Sequence, residues 1–265
     1  MKSILRSFVM AFSEYSISPK SKMKRDKMNC SYILLFLPLI GIIITAVINR
    51  WAVYSPYMCE DGSVLPAIIC VVAPIILSAG SHMDGFFKTV DALSSHKSRK
   101  EAIRIIREDN HCGHMAIIAA MCYFLLAVGI WNVIPLDGFY VVAFAYTISR
   151  ALFGISLVTM KHMNGDEKGM NYIPDSKIGK IVVVAANLVY IAISAYLMIE
   201  ISLTSYVGIS FAIACLAGAA VAFVYYIIMS FIKFGGVSEE LASFFVTLCE
   251  VAIPIAAICM FKSPL

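Results

Sequence analysis

The stretch SYILLFLPLIGIIITAVINR, residues 31–50, contains no charged side chain before its final residue, Arg50. About 20 apolar residues in a helix cross the roughly 30 Å hydrocarbon core of a bilayer, since each residue adds about 1.5 Å. The whole chain has this character: it is 60% hydrophobic and 14% charged, with a mean hydropathy of +0.85. Soluble domains average about 25% charged residues. We therefore predict an all-α polytopic integral membrane bundle, a single membrane domain over residues 1–265.

Seven apolar segments are long enough to span the bilayer as helices. They cover residues 31–50, 63–81, 113–134, 138–160, 180–203, 206–232 and 241–262. The third and fourth segments are separated only by the turn Pro135-Leu136-Asp137-Gly138. The sequence therefore predicts about seven transmembrane helices, with six as the alternative.

Lysine and arginine are concentrated in alternate connections between these segments. They precede the first span and follow the second, fourth and sixth, whereas residues 51–62 and 203–206 contain neither. Positive charge marks the cytoplasmic connections of membrane proteins. Seven spans place every basic connection on one side, whereas six would interrupt the alternation. We predict a multi-pass protein of the cell (inner) membrane, with the N-terminus and the functional site on the cytoplasmic side.

Three polar segments are expected on that side: residues 1–30, 82–112 and 161–179. The first contains SILRSFVMAFSEYS, whose apolar residues at partly helical spacing, followed by lysines, are typical of a helix lying on an anionic membrane surface. The second contains residues 97–108, KSRKEAIRIIRE, in which isoleucines offer an apolar stripe and basic residues occupy the other faces. This pattern predicts another amphipathic surface helix.

The stretch SHMDGFFKTVDALSSHKSRK, residues 81–100, gathers ionisable side chains where the second span meets the predicted cytoplasmic surface. A helix from His82 to Leu93 would place Asp84, Lys88 and Asp91 on one face, at positions i, i+4 and i+7. Two carboxylates there can hold Mg²⁺ together with substrate phosphates, and nearby basic side chains can bind further phosphate oxygens. The chemistry indicated is displacement at phosphorus.

A simpler explanation competes for the basic residues of this region. Charged loops between spans are ordinary, and a basic loop satisfies the orientation rule without any further role. This applies to Lys97, Arg99, Lys100, Arg104 and Arg107. It applies less to Asp84, because a carboxylate at the end of a span is costly and is usually retained for a function.

The same residues resemble the cobalamin synthase family, the adenosylcobinamide-GDP ribazoletransferases. That family carries a motif of the form H-x-D-G-x-x-D-T-x-D-[GA]-L, followed by a basic helix and an acidic turn before a glycine. The matching residues here are His82, Asp84, Gly85, Thr89, Asp91, Ala92 and Leu93, followed by SSHKSRKEAIRIIREDNHCG. Similar stretches are SFVMAFSEYSISP, LLFLPLIGIII and SRALFGISLVTMK, so the resemblance covers most of residues 1–175.

The resemblance implies a Mg²⁺-dependent transferase that closes the lower nucleotide loop of cobalamin. A hydroxyl of α-ribazole, or of its 5′-phosphate, would attack adenosylcobinamide-GDP and release GMP. It implies metal and phosphate binding at Asp84 and Asp91, completed by Glu108 or Asp109, with His82 as a base or orienting group. Candidate phosphate contacts are Lys88, Arg99, Arg104, Arg107, Arg150 and Lys161.

Two departures from the family pattern leave alternatives open. Lys88 stands where the family has its middle aspartate, and Glu108-Asp109-Asn110-His111 stands where the family usually has a single acid. Lys88 either binds phosphate directly or pairs with the aspartates and disables metal binding. The second case describes a catalytically silent corrinoid-binding homologue.

A third alternative is another Mg²⁺-dependent membrane phosphotransferase of the CDP-alcohol type, but that class needs more aspartates than Asp84-x₆-Asp91 supplies. The partners expected are the two small-molecule substrates and the lipid bilayer, without nucleic acid. Homo-oligomerisation is left open.

Overall fold

The computed structural model describes residues 2–60, 62–107, 112–164 and 169–261. Within these ranges the chain is helical, without a β-strand and with one isolated bridge between His162 and Val237. The helices are α1 (Lys2–Tyr15), α2 (Lys27–Cys30), α3 (Ile33–Met58), α4 (Leu65–Leu77), α5 (Ser81–Ser94), α6 (Arg99–Arg107), α7 (His114–Val133), α8 (Leu136–Val142), α9 (Ala145–Thr159), α10 (Lys177–Thr204), α11 (Gly208–Met229) and α12 (Glu239–Phe261). A 3₁₀ turn at Gly169–Tyr172 and a π turn at Ser230–Phe234 complete them.

The prediction of an all-α polytopic bundle is confirmed. Six segments of the described chain are long and apolar enough to cross a membrane. They are α3, α7, α8 with α9, α10, α11 with the following π turn, and α12. A seventh exists if the bent pair of α4 and α5 counts as one span, so the structure supports six or seven.

The predicted second span is sharply bent. Helix α4 has only 13 residues, and α5 leaves it at an angle of 95°. The bend lies at Ala79 and Gly80, whose φ angles of +50° and +66° are left-handed and cannot continue an α-helix. The consequence is that the motif beginning at His82 lies on a helix of its own.

The basic connections of the chain meet at one end of the bundle. Lys27 forms an ion pair with Asp175, and Arg107 donates to the carbonyl of Asn164. The backbone N–H of Met163 donates to Val237 at 3.0 Å. This grouping agrees with the charge alternation, and the cytoplasmic location of that end stays a prediction.

Helix α5 packs closely against the start of α12. A Cβ atom at Gly85 would lie 2.5 Å from the Cβ of Ser243 and 2.7 Å from the carbonyl oxygen of Glu240. Only glycine allows this approach, so the DG pair of the motif sets the distance between the two helices. Residues of α12 more than 150 positions away thereby reach the motif.

The two predicted amphipathic helices are present. On α1, Met10 and Tyr15 are buried while Leu5 and Val9 are exposed. On α6, Ile106 is buried, and the basic residues of that helix are exposed. Both helices bury part of their apolar residues against the bundle, and contact of their outer faces with lipid stays a prediction.

Candidate functional site

A pocket of about 220 Å³ opens where α5 and α12 begin. It is lined by Arg25, Ser81, Asp84, Gly85, Lys88, Glu239, Glu240 and Ser243. Two cations and three carboxylates therefore share one small space at the basic end of the bundle. This mixture of charges suits a ligand that carries both phosphate oxygens and a bound cation.

Asp84 and Lys88 form the ion pair that their spacing predicts. Lys88 Nζ lies 2.8 Å from Asp84 Oδ2. The Asp84 side chain is 63% exposed, whereas that of Lys88 is only 10% exposed. The carboxylate is thus accessible to a ligand, and the ammonium group reaches the pocket from an enclosed position.

Asp91 has a different environment from the one predicted. Its carboxylate accepts hydrogen bonds from the backbone N–H groups of Gly113 and Ala116, the latter at 3.0 Å. These groups belong to the start of α7, where the first N–H groups of a helix lack partners and favour a negative charge. Asp91 therefore caps α7 and is engaged away from Asp84, contrary to a site shared by the two.

We expect Asp91→Ala to lower the free energy of unfolding by about 2 kcal/mol, because two backbone N–H groups lose a charged acceptor. Asp91→Asn should lose less, since its amide oxygen still accepts one bond. Thermal unfolding in detergent, measured beside transfer activity, checks this. An Asp91→Asn protein with unchanged Tm and no activity would contradict the capping role.

His82 is enclosed beneath the pocket. Its Nδ1 lies 3.5 Å from the hydroxyl oxygen of Ser243, which lines the pocket, and its ring stacks on Tyr15 with centroids 5.9 Å apart. Its Nε2 has no hydrogen-bond partner among the described residues. Of the two roles predicted for His82, this position suits the orientation of Ser243 better than direct contact with substrate.

Arg25 connects the N-terminal segment to the pocket, and sequence reasoning did not identify it. Its guanidinium lies 2.9 Å from Glu14 Oε1 and 3.2 Å from Glu239 Oε1, above the ring of Tyr172. Burial raises the pKa of Glu14, and the adjacent Arg25 opposes that rise. Arg25 belongs to the basic segment whose charges are accounted for by orientation in the membrane, so the sequence offers no separate signal for it.

Four other basic residues proposed for phosphate are not among the residues that line the pocket beside Asp84. Arg99 donates to the carbonyl of Ile232 at 2.8 Å, and the carbonyl of Lys161 accepts from Val237 at 2.9 Å. Arg104 and Arg107 are exposed on α6, and Arg107 contacts Asn164. Arg99 and Arg107 thus connect neighbouring segments at this end of the bundle. A phosphate role for these four residues stays a prediction.

Arg150 is completely buried and pairs with an acid that the sequence reasoning missed. Its Nη2 lies 3.7 Å from Glu250 Oε1, and its Nη1 donates to the carbonyl of Tyr146 at 3.1 Å. Tyr123 donates its hydroxyl to the same carboxylate at 2.8 Å. A charge inside a membrane needs a partner, and Glu250 supplies it. Arg150 is not among the residues that line the pocket beside Asp84, where phosphate binding is proposed. The signal was available, since Glu250 is an acid inside a predicted span.

The acidic residues of the site only partly match the predicted metal ligands. Within the described ranges, no three Asp, Glu, His or Cys side chains are placed to hold one ion. Glu108 and Asp109, the predicted completing ligands, lie outside the described residues. Glu239 and Glu240, which the sequence analysis did not propose, line the pocket with Asp84.

Known proteins resemble this chain over almost its full length. The sequence model of the family described as cobalamin-5-phosphate synthase matches residues 7–258. A protein of Lachnoclostridium phytofermentans named adenosylcobinamide-GDP ribazoletransferase is 30% identical over 255 residues, 96% of this chain and 94% of that protein. One of the same name from Clostridium botulinum (strain Alaska E43) is 25% identical over 270 residues, 98% of this chain and 100% of that protein. No solved structure matches.

These matches include the second half of the chain, where the sequence analysis identified no motif of the family. They also agree with the membrane-spanning helical bundle and with a pocket built around the His82–Leu93 motif. From both lines of observation we conclude that this chain belongs to the cobalamin-5-phosphate synthase family, whose description places it in cobalamin biosynthesis.

Proposed function

We propose that the protein is an adenosylcobinamide-GDP ribazoletransferase. In this reaction a hydroxyl of α-ribazole, or of its 5′-phosphate, attacks the cobinamide-side phosphorus of adenosylcobinamide-GDP. The bond from that phosphorus to the bridging oxygen breaks, GMP leaves with the bridging oxygen, and the hydroxyl proton passes to a base. Full-length relatives of this name support the assignment.

One structural observation carries the proposal. The pocket at the start of α5 and α12 brings Lys88 and Arg25 together with three carboxylates. A diphosphate ester in such a pocket has cations to bind its oxygens and an accessible carboxylate, Asp84, for its counterion. Displacement at phosphorus depends mainly on positioning and charge neutralisation, which this arrangement supplies.

Magnesium is part of the proposal, and the donor chemistry of the pocket fits it. Mg²⁺ is usually held by one or two carboxylates while water and substrate phosphates complete its shell. Asp84 is the accessible carboxylate, and Glu239 and Glu240 line the same pocket. When bound there, Mg²⁺ would neutralise charge that develops on the phosphate oxygens.

The protein's own residues have separate tasks in this proposal. Lys88 binds a phosphate oxygen from its enclosed position, and Arg25, which also lines the pocket, binds another. His82 fixes the Ser243 hydroxyl, which faces the substrate. We assign the pocket to the cytoplasmic side because the connections around it are the basic ones.

A catalytically silent corrinoid-binding homologue is the second candidate, favoured by the 2.8 Å contact between Lys88 and Asp84. Reconstitution separates the two. Protein in liposomes, supplied with adenosylcobinamide-GDP, α-ribazole and Mg²⁺, should yield a cobalamin product and an equal amount of GMP. Corrinoid binding without GMP release would favour the silent homologue. The family match argues against the CDP-alcohol class.

Lys88 itself gives a sharper comparison. If it binds phosphate, Lys88→Met should lower kcat/KM for the donor by roughly tenfold to a hundredfold, the loss of one hydrogen bond to a charged group. Lys88→Asp, which restores the family residue, should not exceed the wild-type rate. An inactive wild type combined with an active Lys88→Asp protein would instead show that the lysine disables the site.

A further inference from the structure

A separate pocket lies at the other end of α5, beside α6 and the π turn that precedes α12. We call it the basic pocket, and its lining residues are Ala92, Leu93, His96, Lys97, Ala102, Lys233 and Phe234. Its volume of about 140 Å³ is below the usual range of small-molecule sites, about 300–1,000 Å³. It therefore suits one small polar group and is too small for a nucleotide. The roles assigned so far give it no task.

The lining of the basic pocket is positively charged and contains no carboxylate. Lys97 and Lys233 reach it from two different segments, and neither ammonium group has an ion-pair partner among the described residues. Glu101, one helical turn after Lys97, accepts hydrogen bonds from Ser98 and lies outside the lining. A cleft lined by charge of one sign concentrates counter-ions, so this arrangement favours an anion.

His96 is the third basic side chain of the lining, and its backbone conformation is costly. Its φ angle of +51° is left-handed, directly after the cap of α5. Glycine occupies such a position after a helix without steric cost, whereas a residue with a Cβ does not. The residue at this point is instead one whose ring lines the pocket and offers an N–H donor.

Arg99 holds the basic pocket together without a ligand. Its guanidinium donates to the carbonyl of Ile232 at 2.8 Å, and its Nη1 would lie 3.2 Å from a Cβ atom at Gly235. This contact joins the start of α6 to the π turn that carries Lys233. Such π turns within helices are frequent at functional sites. The two lysines are thus held in neighbouring segments before an anion binds.

The position of the basic pocket indicates where its anion comes from. The π turn ends the apolar segment Gly208–Phe234, which is long enough to span the bilayer. Phe231 and Ile232 in this turn are exposed, as apolar side chains that face lipid are, and Lys233 follows them directly. A lysine at the end of a span places its ammonium group at the level of the lipid headgroups.

We propose that the basic pocket binds the phosphate of an anionic membrane lipid through Lys97, Lys233 and His96. Phosphate oxygens accept charge-assisted hydrogen bonds from such groups, and basic pockets between membrane helices are suited to lipid headgroups. A bound headgroup would bridge the end of α5 and the segment leading into α12, the two helices whose first turns line the pocket beside Asp84. The inference is independent of the proposed reaction, since lipid binding is measured without turnover.

Two double variants of equal net charge test the site. Lys97→Gln with Lys233→Gln removes both ammonium groups of the lining. Lys100→Gln with Lys180→Gln, the matched control, removes two exposed lysines of α6 and α10 that lie outside it. The probes are short-chain phosphatidylglycerol, phosphatidylcholine of equal chain length and inorganic phosphate, each titrated into full-length protein in a neutral detergent. The rise in Tm with probe concentration reports binding.

Wild type should be stabilised by phosphatidylglycerol at concentrations at which phosphatidylcholine and inorganic phosphate have little effect. The pocket variant should bind phosphatidylglycerol at least about tenfold more weakly than wild type, and the control variant less than about twofold more weakly. Equal stabilisation of wild type by both lipids, or equal losses in the two variants, would overturn the site. Inorganic phosphate that matches phosphatidylglycerol at equal concentration would overturn the lipid assignment.

His96→Gly adds a variant whose effects on stability and binding should have opposite signs. Glycine accepts the left-handed φ angle, so Tm without lipid should rise. Affinity for phosphatidylglycerol should nevertheless fall by about threefold or more, because one donor of the site is lost. Misfolding cannot produce this combination. A His96→Gly protein with wild-type lipid affinity would remove His96 from the site.

Discussion

Replacing Asp84 with Asn should lower the rate of transfer by at least about a hundredfold and leave the fold intact, as loss of a charged group that acts on the transition state does. The Asp84 side chain is 63% exposed, so the exchange removes little packing. It removes the charge that offsets Lys88 and the carboxylate proposed to hold Mg²⁺. Steady-state GMP release at varied Mg²⁺ measures the effect, and the variant should need more Mg²⁺ for half-maximal rate.

Asp175→Asn is the matched control for this experiment. Asp175 is also an exposed aspartate, 77% accessible, paired with a lysine, but its partner is Lys27 outside the pocket. Surface ion pairs of this kind contribute about 0–1 kcal/mol, so we expect wild-type transfer and an almost unchanged Tm. Full turnover by Asp84→Asn would rule out its metal and phosphate role.

The largest effect on stability is expected at the buried pair of Arg150 and Glu250. Removing one partner leaves an uncompensated charge among apolar helices, which costs about 3–5 kcal/mol. We therefore expect Glu250→Leu and Arg150→Met each to destabilise the protein strongly. The double variant should recover most of the loss, because a well-packed apolar pair is often as stable as a buried ion pair.

Reversible unfolding in detergent, carried out for the two single variants and the double variant, measures this coupling. Tyr123→Phe is a useful comparison, since it removes only the hydroxyl that donates to Glu250 and should cost about 1 kcal/mol. Strictly additive losses in the double variant would contradict a direct interaction between Arg150 and Glu250.

This pair also bears on the pocket. Arg150 lies on α9 and Glu250 on α12, whose first turns carry Glu239, Glu240 and Ser243 into the pocket. Helix α12 is thus held at its middle by a charge pair and at its start by the close contact with Gly85. Stability and transfer activity are expected to fall together when the pair is broken.

The sequence predicted the parts of this structure that depend on local pattern. Apolar length identified the spans, and the spacing of Asp84 and Lys88 predicted their contact on one helical face. The bend at Gly80 escaped prediction because hydropathy carries no information about φ angles. Local sequence pattern was therefore sufficient to predict where the helices lie in the chain, but not the angles between them.

The candidate site depended more on tertiary packing. Asp91 shares the predicted face with Asp84, yet the unpaired N–H groups at the start of α7 compete successfully for its carboxylate. Glu239 and Glu240 follow the sixth span, and only the packing of α12 on α5 brings them beside Asp84. No spacing rule connects positions so distant in sequence.

The most direct test is an experimental structure of the protein in lipid nanodiscs with adenosylcobinamide-GDP and Mg²⁺, without the ribazole acceptor. We expect diphosphate density within hydrogen-bonding distance of Lys88 and Arg25, with a metal ion in contact with Asp84. Diphosphate density elsewhere, for example at the opposite end of the bundle, would contradict a site built on these residues.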